Sequence, residues 1–378
     1  MSRWVSSAAP AAGPRRWAVV GNGENRRVGL FLAAARAAGL PAPRVVEWRD
    51  VLRDGGHAFA DEEIVRLDSP GESADVDRLL RGVDEPTRVE GSAAWYARFL
   101  AAVGSLRGGV RLDDPADLAV LFDKRLCHAR LAAAGVPVPS APTSGGAWPV
   151  RGWDDVRAAM REHRMPRVFV KPAHSSSASG ILAVETGAGR VGATTPVEVT
   201  PGGRLHNSLR VRRLTDERSI AAIVDTLAPD GLHVERWLPK ASLAGRSADL
   251  RVLVVAGRAT HAVVRTSRFP LTNLHLGGAR GDLAAAMAAA GDRWADALEV
   301  CERAAACFPG TLCVGVDLLP AIGWRRFAVA EVNAFGDLLP GLRGLPGSGA
   351  EDMDTYAAQL AAVAGGGTPR VRRDRAPR

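Results

Sequence analysis

Of the 378 residues, forty-nine are basic, yet only three of those are lysine: Lys124, Lys171 and Lys240. Arginine does the ordinary cationic work, and a compact ammonium differs from a planar guanidinium fork mainly where oxygens crowd into a tight pocket. The neighbours of each lysine therefore carry more information than the count. Cysteine is scarce: Cys127, Cys301, Cys307 and Cys313 form no C-x-x-C pair, which excludes zinc or redox-motif spacing. Residues 1–14 lack a continuous apolar segment of signal-peptide type, and no apolar run approaches bilayer-spanning length. A reduced, cytoplasmic protein without a membrane partner is the expectation.

Excess positive charge is also absent from the body of the chain. The formal net charge is +8, but Arg3, Arg15 and Arg16 stand without an acid in residues 1–16, and five arginines face only Asp374 in residues 370–378. What lies between is close to neutral. A nucleic-acid partner is not expected, because no basic stripe interleaved with aromatics occurs there. Residues 1–16 and 365–378 read as disordered basic tails on a globular enzyme.

What is present is an α/β pattern. An apolar run meets the turn Gly21-Asn-Gly23 and an Ala/Leu-rich helical stretch from Val28 to Ala38, and Val45–Trp48 supplies a second short strand. Arg26 occupies the third glycine position of a dinucleotide fingerprint, so a plain strand–turn–helix is the better reading. A helix is expected after Pro115, through Asp123-Lys124 to Ala134, stopped by Gly135-Val-Pro-Val-Pro139. Val168–Pro172 and Ile181–Val184 read as a hairpin around the small-residue loop His174–Gly180. Further strands are expected at 231–238, 249–255, 260–265, 313–319 and 327–332, with one helix from Asp282 to Phe308.

The last two strands carry the strongest chemical signal. Antiparallel neighbours would bring Asp317 close to Glu331 and Asn333, and period-two spacing puts the latter two on one face. Two carboxylates and an amide oxygen make a hard, oxygen-only set suited to Mg²⁺ when phosphates supply the remaining ligands.

Taken in order, these pieces resemble the ATP-grasp superfamily, and within it the RimK-like ligases. The ordered motifs run from Asp113 to Leu342: Asp123-Lys124; Val170-Lys171-Pro172 before the Ser/Gly loop; Val234-Glu-Arg-Trp-Leu238; Asp249-Leu-Arg251; Arg265; Thr272-Asn-Leu-His-Leu-Gly-Gly278; Gly315-Val-Asp-Leu-Leu319; and Glu331-Val-Asn333. The resemblance implies an α/β (α+β) ATP-grasp fold with an N-terminal open-sheet domain (17–112), a central subdomain with a mobile loop (113–237) and a C-terminal subdomain with the metal site (238–364). It implies that Lys124 and Lys171 contact ATP phosphates, while Ser175, Ser176, Ser177 and Gly180 fold over them. Glu235, Arg236, Trp237 and Leu238 would form the hinge that reads adenine, with Lys240 and Asp249 near ribose and phosphates and Asn273 in the phosphate wall. Arg251 and Arg265 would be catalytic, facing the transferred phosphoryl group, and Asp317, Glu331 and Asn333 would hold Mg²⁺, or Mn²⁺ in its place.

The implied activity is an ADP-forming carboxylate–amine ligation through an acyl phosphate, with a small-molecule or peptide carboxylate and an amine as partners; homodimerisation stays open. The alternative is a non-catalytic ATP-binding module that signals to a partner protein. A dinucleotide-dependent oxidoreductase built on the Gly21–Gly23 turn is the third reading. One departure stands out: relatives continue after Glu-x-Asn with a small residue, Pro and Gly, whereas Ala334-Phe-Gly-Asp-Leu-Leu-Pro340 follows here. Residues 66–72 are the polar, turn-like candidate contact of the first domain.

Overall fold

The computed structural model describes residues 16–85, 87–337 and 339–367. Nearly all of the two proposed tails lies outside these residues. Among the described residues three sheets of four or more strands succeed one another along the chain.

The first sheet is wholly parallel, in the order Arg44–Glu47, Trp17–Gly21, Ile64–Leu67, Val110–Arg111. Strands of this kind are buried on both faces and read as continuous apolar runs; the burial of all five residues of Trp17–Gly21 and all four of Ile64–Leu67 fits that rule. On one face the helix Arg26–Ala37 packs with the helix Thr355–Ala364 from the far end of the chain, joining Phe31 to Tyr356, Leu360 and Val363. Both carboxyl ends of the central strands open into loops, 21–25 and 68–73, the place where open α/β sheets bind ligands.

The second sheet is antiparallel, in the order Leu205–Leu214, Arg190–Val199, Leu182–Gly187, Arg167–Pro172, Leu232–Arg236. Val168, Val170, Leu182, Val184 and Val234 turn to a core completed by the helices Trp153–Glu162 and Glu217–Leu227. Alternation then sends Phe169, Lys171, His233 and Glu235 to the opposite face.

The third sheet is also antiparallel. Its main path runs Ala279–Arg280, Arg258–Ser267, Arg246–Val255, Cys313–Pro320, Phe327–Ala334. Leu250, Val252, Val254, Ala262, Val264, Val314, Val316 and Leu318 face a core with the helices Leu283–Ala290, Trp294–Ala306 and Lys124–Ala133. The opposite face carries Asp249, Arg251, Arg265, Asp317, Glu331 and Asn333. A register shift opposite Asp317 and Leu318 skips Ala330, so Val329 and Val332 both reach the core while Glu331 and Asn333 stay on the polar face.

Two helices expected to be continuous are broken. The first splits into Pro115–Leu121 and Lys124–Ala133 because the Asp123 side chain accepts from the Arg125 and Leu126 amides and caps a new helix. The second splits at Gly291, whose φ of 52° leaves the right-handed helical region, and resumes at Trp294.

Candidate functional site

The polar face of the third sheet is organised as cross-strand pairs. Asp249 stands opposite Arg265, Arg251 opposite Asp317, and Asp317 opposite Glu331. Facing positions of this kind interact directly, and opposite charges there stabilise the pairing. The Arg251 guanidinium grips both oxygens of Asp317, at 2.5 and 3.1 Å, while Arg265 bridges Asp249 at 2.8 Å and Asp317 at 3.0 Å. Burial would raise the Asp249 carboxyl, but Arg265 and Lys240 outweigh it and hold the group at about 2; Asp317 is likewise held down by Arg251 and Arg265 against the effect of burial.

Lysines arrive from three different elements. Lys124 opens its helix, where Asp123 fixes the entry angle, and its Nζ lies 2.9 Å from Glu331 Oε1 and donates to the Ser175 carbonyl oxygen. Lys171 lies on the polar face of the second sheet, 2.6 Å from Glu235 Oε1. Burial opposes its charge, yet Glu235, Glu331 and Asp317 raise its pKa. Lys240 donates to Thr272 Oγ1 at 2.9 Å and lies 3.5 Å from Asp249 Oδ2; here burial prevails and its pKa falls. Thr272 itself donates to Asp249. Lys240 is thus held by the same carboxylate as Arg265.

The remaining candidates divide. Glu235, expected in the hinge that reads adenine, uses its side chain to anchor Lys171. His233 Nε2 lies 3.3 Å from its second oxygen, and Thr143 engages His233 Nδ1 at 3.0 Å. The Arg236 and Trp237 amides already donate to Ser140 and Arg167 carbonyls. The Trp237 ring packs 5.5 Å from Phe169, on the Lys171 face, and Leu238 is half-buried beside it.

In the serine loop, Ser176 and Ser177 are exposed and Ser175 is half-buried, its hydroxyl donating to the Pro172 carbonyl. Gly180 has a φ of 72°, and a Cβ there would lie 2.6 Å from Val89 Cγ1. Asn273 caps a single turn, accepting from the His275 amide, next to Thr272.

Asp317, Glu331 and Asn333 share one face of neighbouring strands, with Asn333 Nδ2 donating to the Gly315 carbonyl at 3.2 Å. Among the described residues no group of three or more His, Cys, Asp and Glu side chains is arranged to hold a metal, so the set needs the Asn333 amide oxygen as its third donor. Three hard oxygens on one face fit Mg²⁺.

Four residues outside the motifs extend this network. Asp337, in the divergent segment after Asn333, lies 2.9 Å from Arg251 Nη1 and 3.5 Å from Arg27 Nη2. Arg27 in turn lies 3.9 Å from Asp68, which Arg66 binds at 2.7 Å. Within the polar segment 66–72, then, the side chains of Arg66 and Asp68 are buried rather than forming a surface turn. No motif marks these residues; the hints were the polar segment 66–72 and the unusual sequence around Asp337. The Gly21–Gly23 turn has another occupant: the Gly23 amide donates to both Glu47 carboxylate oxygens, at 3.2 and 3.0 Å. A carboxylate there would repel a pyrophosphate, which disfavours the dinucleotide reading.

No protein-family model matches the sequence, and no curated protein sequence matches it. Solved structures do. The crystal structure of the D-cycloserine synthetase DcsG is 18% identical with a TM-score of 0.55, covering 92% of this chain and 98% of that one. The ATP-grasp ligase PsnB, complexed with a minimal precursor, is 18% identical with a TM-score of 0.51, covering 93% of this chain and 99% of that one. At this identity the likeness speaks for architecture, and it extends over all three sheets: the chain has the ATP-grasp fold.

Proposed function

We propose that the protein is an ATP-dependent carboxylate–amine ligase that releases ADP and phosphate, of the RimK-like branch to which its motif order is similar. One observation carries this reading: cations from separate elements, Lys124, Arg251 and Arg265, are paired with the carboxylates Asp317 and Glu331 on one sheet face, beside Lys171 and Lys240. A site holding phosphate-binding cations and metal-binding carboxylates in matched pairs neutralises itself before its ligands arrive. Both neighbours named above are ligating enzymes by their descriptions, a cycloserine synthetase and an ATP-grasp ligase with a precursor, which supports ligation here.

In the reaction, an oxygen of the substrate carboxylate bonds to the γ-phosphorus as the bond to the β,γ-bridging oxygen breaks, and ADP leaves. The amine nitrogen then bonds to the acyl carbon, phosphate leaves, and the amine proton passes to solvent. Asp317, Glu331 and Asn333 would hold Mg²⁺, which would supply charge neutralisation for the phosphates. Arg251 and Arg265 offer planar forks to the oxygens of the transferred group, and their carboxylate partners hold those forks in place beforehand. Lys124 and Lys171 act as point charges, with Glu235 and Asp123 fixing where each begins. Ser175–Ser177 bring hydroxyl and amide donors over the phosphates. No enzyme nucleophile is required.

The test is ADP release by the purified protein with Mg·ATP and a panel of carboxylates and amines. Release that depends on both a carboxylate and an amine, and is lost in Lys171→Ala and Glu331→Gln, supports the ligase. Nucleotide binding with no turnover on any pair would favour the non-catalytic module.

A further inference from the structure

The serine loop is held at both ends from residues 89–96, which lie between the strands Ile64–Leu67 and Val110–Arg111 of the first sheet. At the start of the loop, the His174 ring stacks on Tyr96, with centroids 4.0 Å apart and planes inclined by 13°, and its Nδ1–H donates to the Phe122 carbonyl at 3.0 Å. Tyr96 lies one turn into the helix Ser92–Ser105, and its own hydroxyl donates to the Ala119 carbonyl at 2.6 Å. At the end of the loop, Gly180 is wedged between two side chains: a Cβ there would stand 2.6 Å from Val89 Cγ1 and 2.7 Å from Pro172 Cγ. Between these anchors Ser176 and Ser177 are exposed, and the Ser179 amide turns back to the Ser176 carbonyl. Ser177 and Ala178 hold left-handed φ of 53° and 60°. Such strain in residues other than glycine collects at ligand clamps and switch segments.

Both anchors belong to one stiff piece of chain. Residues 87–89 run antiparallel along the outer edge of the strand Leu205–Leu214: the Val89 amide donates to the Leu205 carbonyl at 3.0 Å, and the Asn207 amide to the Thr87 carbonyl at 2.8 Å. This pairing puts the Val89 side chain in the core of the second sheet with Val170 and Leu182. Two residues further on, the Gly91 and Ala93 amides donate to the Asp230 carboxylate at 2.6 and 3.2 Å, tying the start of the helix Ser92–Ser105 to the strand that follows Asp230. The later turns of that helix are buried with the first sheet through Phe99, Ala102 and Val103. Close-packed elements of this kind pass a displacement on rather than absorbing it.

Resting on the reading above that Ser175–Ser177 lie over the ATP phosphates, we propose that Tyr96 and Val89 are positioning residues for phosphate binding. Each acts through the loop residue it holds: Tyr96 through His174, next to Ser175, and Val89 through Gly180. Motion is thereby confined to residues 175–179, whose amides and hydroxyls move onto the terminal phosphates about two fixed ends. A loop free at either end would lose more conformational entropy each time it closed, and fixed ends remove part of that cost. The effect falls on the phosphate tail alone, because the adenine would be held at residues 235–238, which neither anchor supports.

Calorimetric titration with Mg²⁺ and either a non-hydrolysable ATP analogue or AMP tests this, with thermal unfolding recorded for each variant. The native protein should bind the analogue more tightly than AMP. Tyr96→Leu and Val89→Ala should each weaken the analogue by about tenfold and AMP by less than about twofold. Tyr96→Phe, which keeps the ring on His174 and loses only the hydroxyl, should retain most of the native preference. A role confined to stability would lower Tm and leave the ratio of the two affinities at its native value in every variant, and that outcome overturns the proposal. A loss in Tyr96→Phe as large as in Tyr96→Leu does the same. If Tyr96→Leu fails to fold, Val89→Ala, the smaller change, decides. Binding of neither nucleotide to the native protein instead refutes the ligase reading, whereas equal binding of both removes the serine loop from the phosphates and the proposal with it.

Discussion

The Nζ of Lys124 lies 2.9 Å from Glu331 Oε1, joining the first turn of a helix to the last strand of the third sheet. On the ligase proposal this pairs a phosphate-directed cation with a metal-directed carboxylate, and Mg·ATP would displace the contact. Removing either partner should therefore uncouple nucleotide from metal. Lys124→Ala is expected to weaken Mg·ATP binding by about 10–100-fold, read by titration, and Glu331→Gln to cut turnover by about 100-fold or more, with the loss persisting at high Mg²⁺.

Lys171 carries an additional, structural burden. Its Glu235 partner is 3% exposed, so Lys171→Ala strands a buried carboxylate at a cost of about 3–5 kcal/mol. Thermal unfolding should show Lys171→Ala well below Lys124→Ala in Tm. The double variant Lys171→Met/Glu235→Leu should recover stability and leave nucleotide affinity lost.

Acid should unfold the protein partly through this pair and through Asp249. Burial alone would raise both carboxyls, but their cationic partners hold Glu235 and Asp249 at about 2. Each is depressed below the unfolded value near 4, so its stabilisation is intact above that pH and declines as the pH falls toward 2. Chemical denaturation from pH 5 to pH 2 should show this slope, reduced in Glu235→Gln.

Asp113 has the opposite sign. It is buried at the junction of the first and third sheets, beside a cavity lined also by Arg66, Cys313, Phe335 and Gln359. Burial outweighs Arg66 and raises its carboxyl to about 7. The folded state then binds the proton more tightly, so the contribution of Asp113 to stability is greatest at or below about pH 4 and is lost as the pH rises toward 7. Asp113→Asn should flatten that part of the profile, by roughly 2–4 kcal/mol at pH 7.

Trp237 packs on Phe169 on the face that carries Lys171. Adenine nucleotides should change the tryptophan emission, and Trp237→Phe should remove most of that change among the nine tryptophans. An unaltered response would place the base elsewhere.

Residue types and spacing made the third sheet legible, since alternation along Glu331-Val-Asn333 and the apolar runs through Leu250 and Val316 suffice to name a polar and an apolar face. The skipped Ala330 was not legible, because a bulge depends on the partner strand. Nor was the role of Glu235, whose side-chain partner lies sixty-four residues earlier in the chain. The helix break at Asp123 could have been read from its capping preference. Arg27 and Asp337 could not: among forty-six arginines nothing local separates one that meets a carboxylate 310 positions away.

The helix Thr355–Ala364 lies against Arg26–Ala37, so residues from both ends of the chain share one core with Trp17, Val19 and Phe31. During synthesis the first sheet therefore emerges long before the side chains that finish covering it. Until Tyr356, Leu360 and Val363 leave the ribosome, that apolar face stays open, and the opening unit of the protein is among the last to become complete.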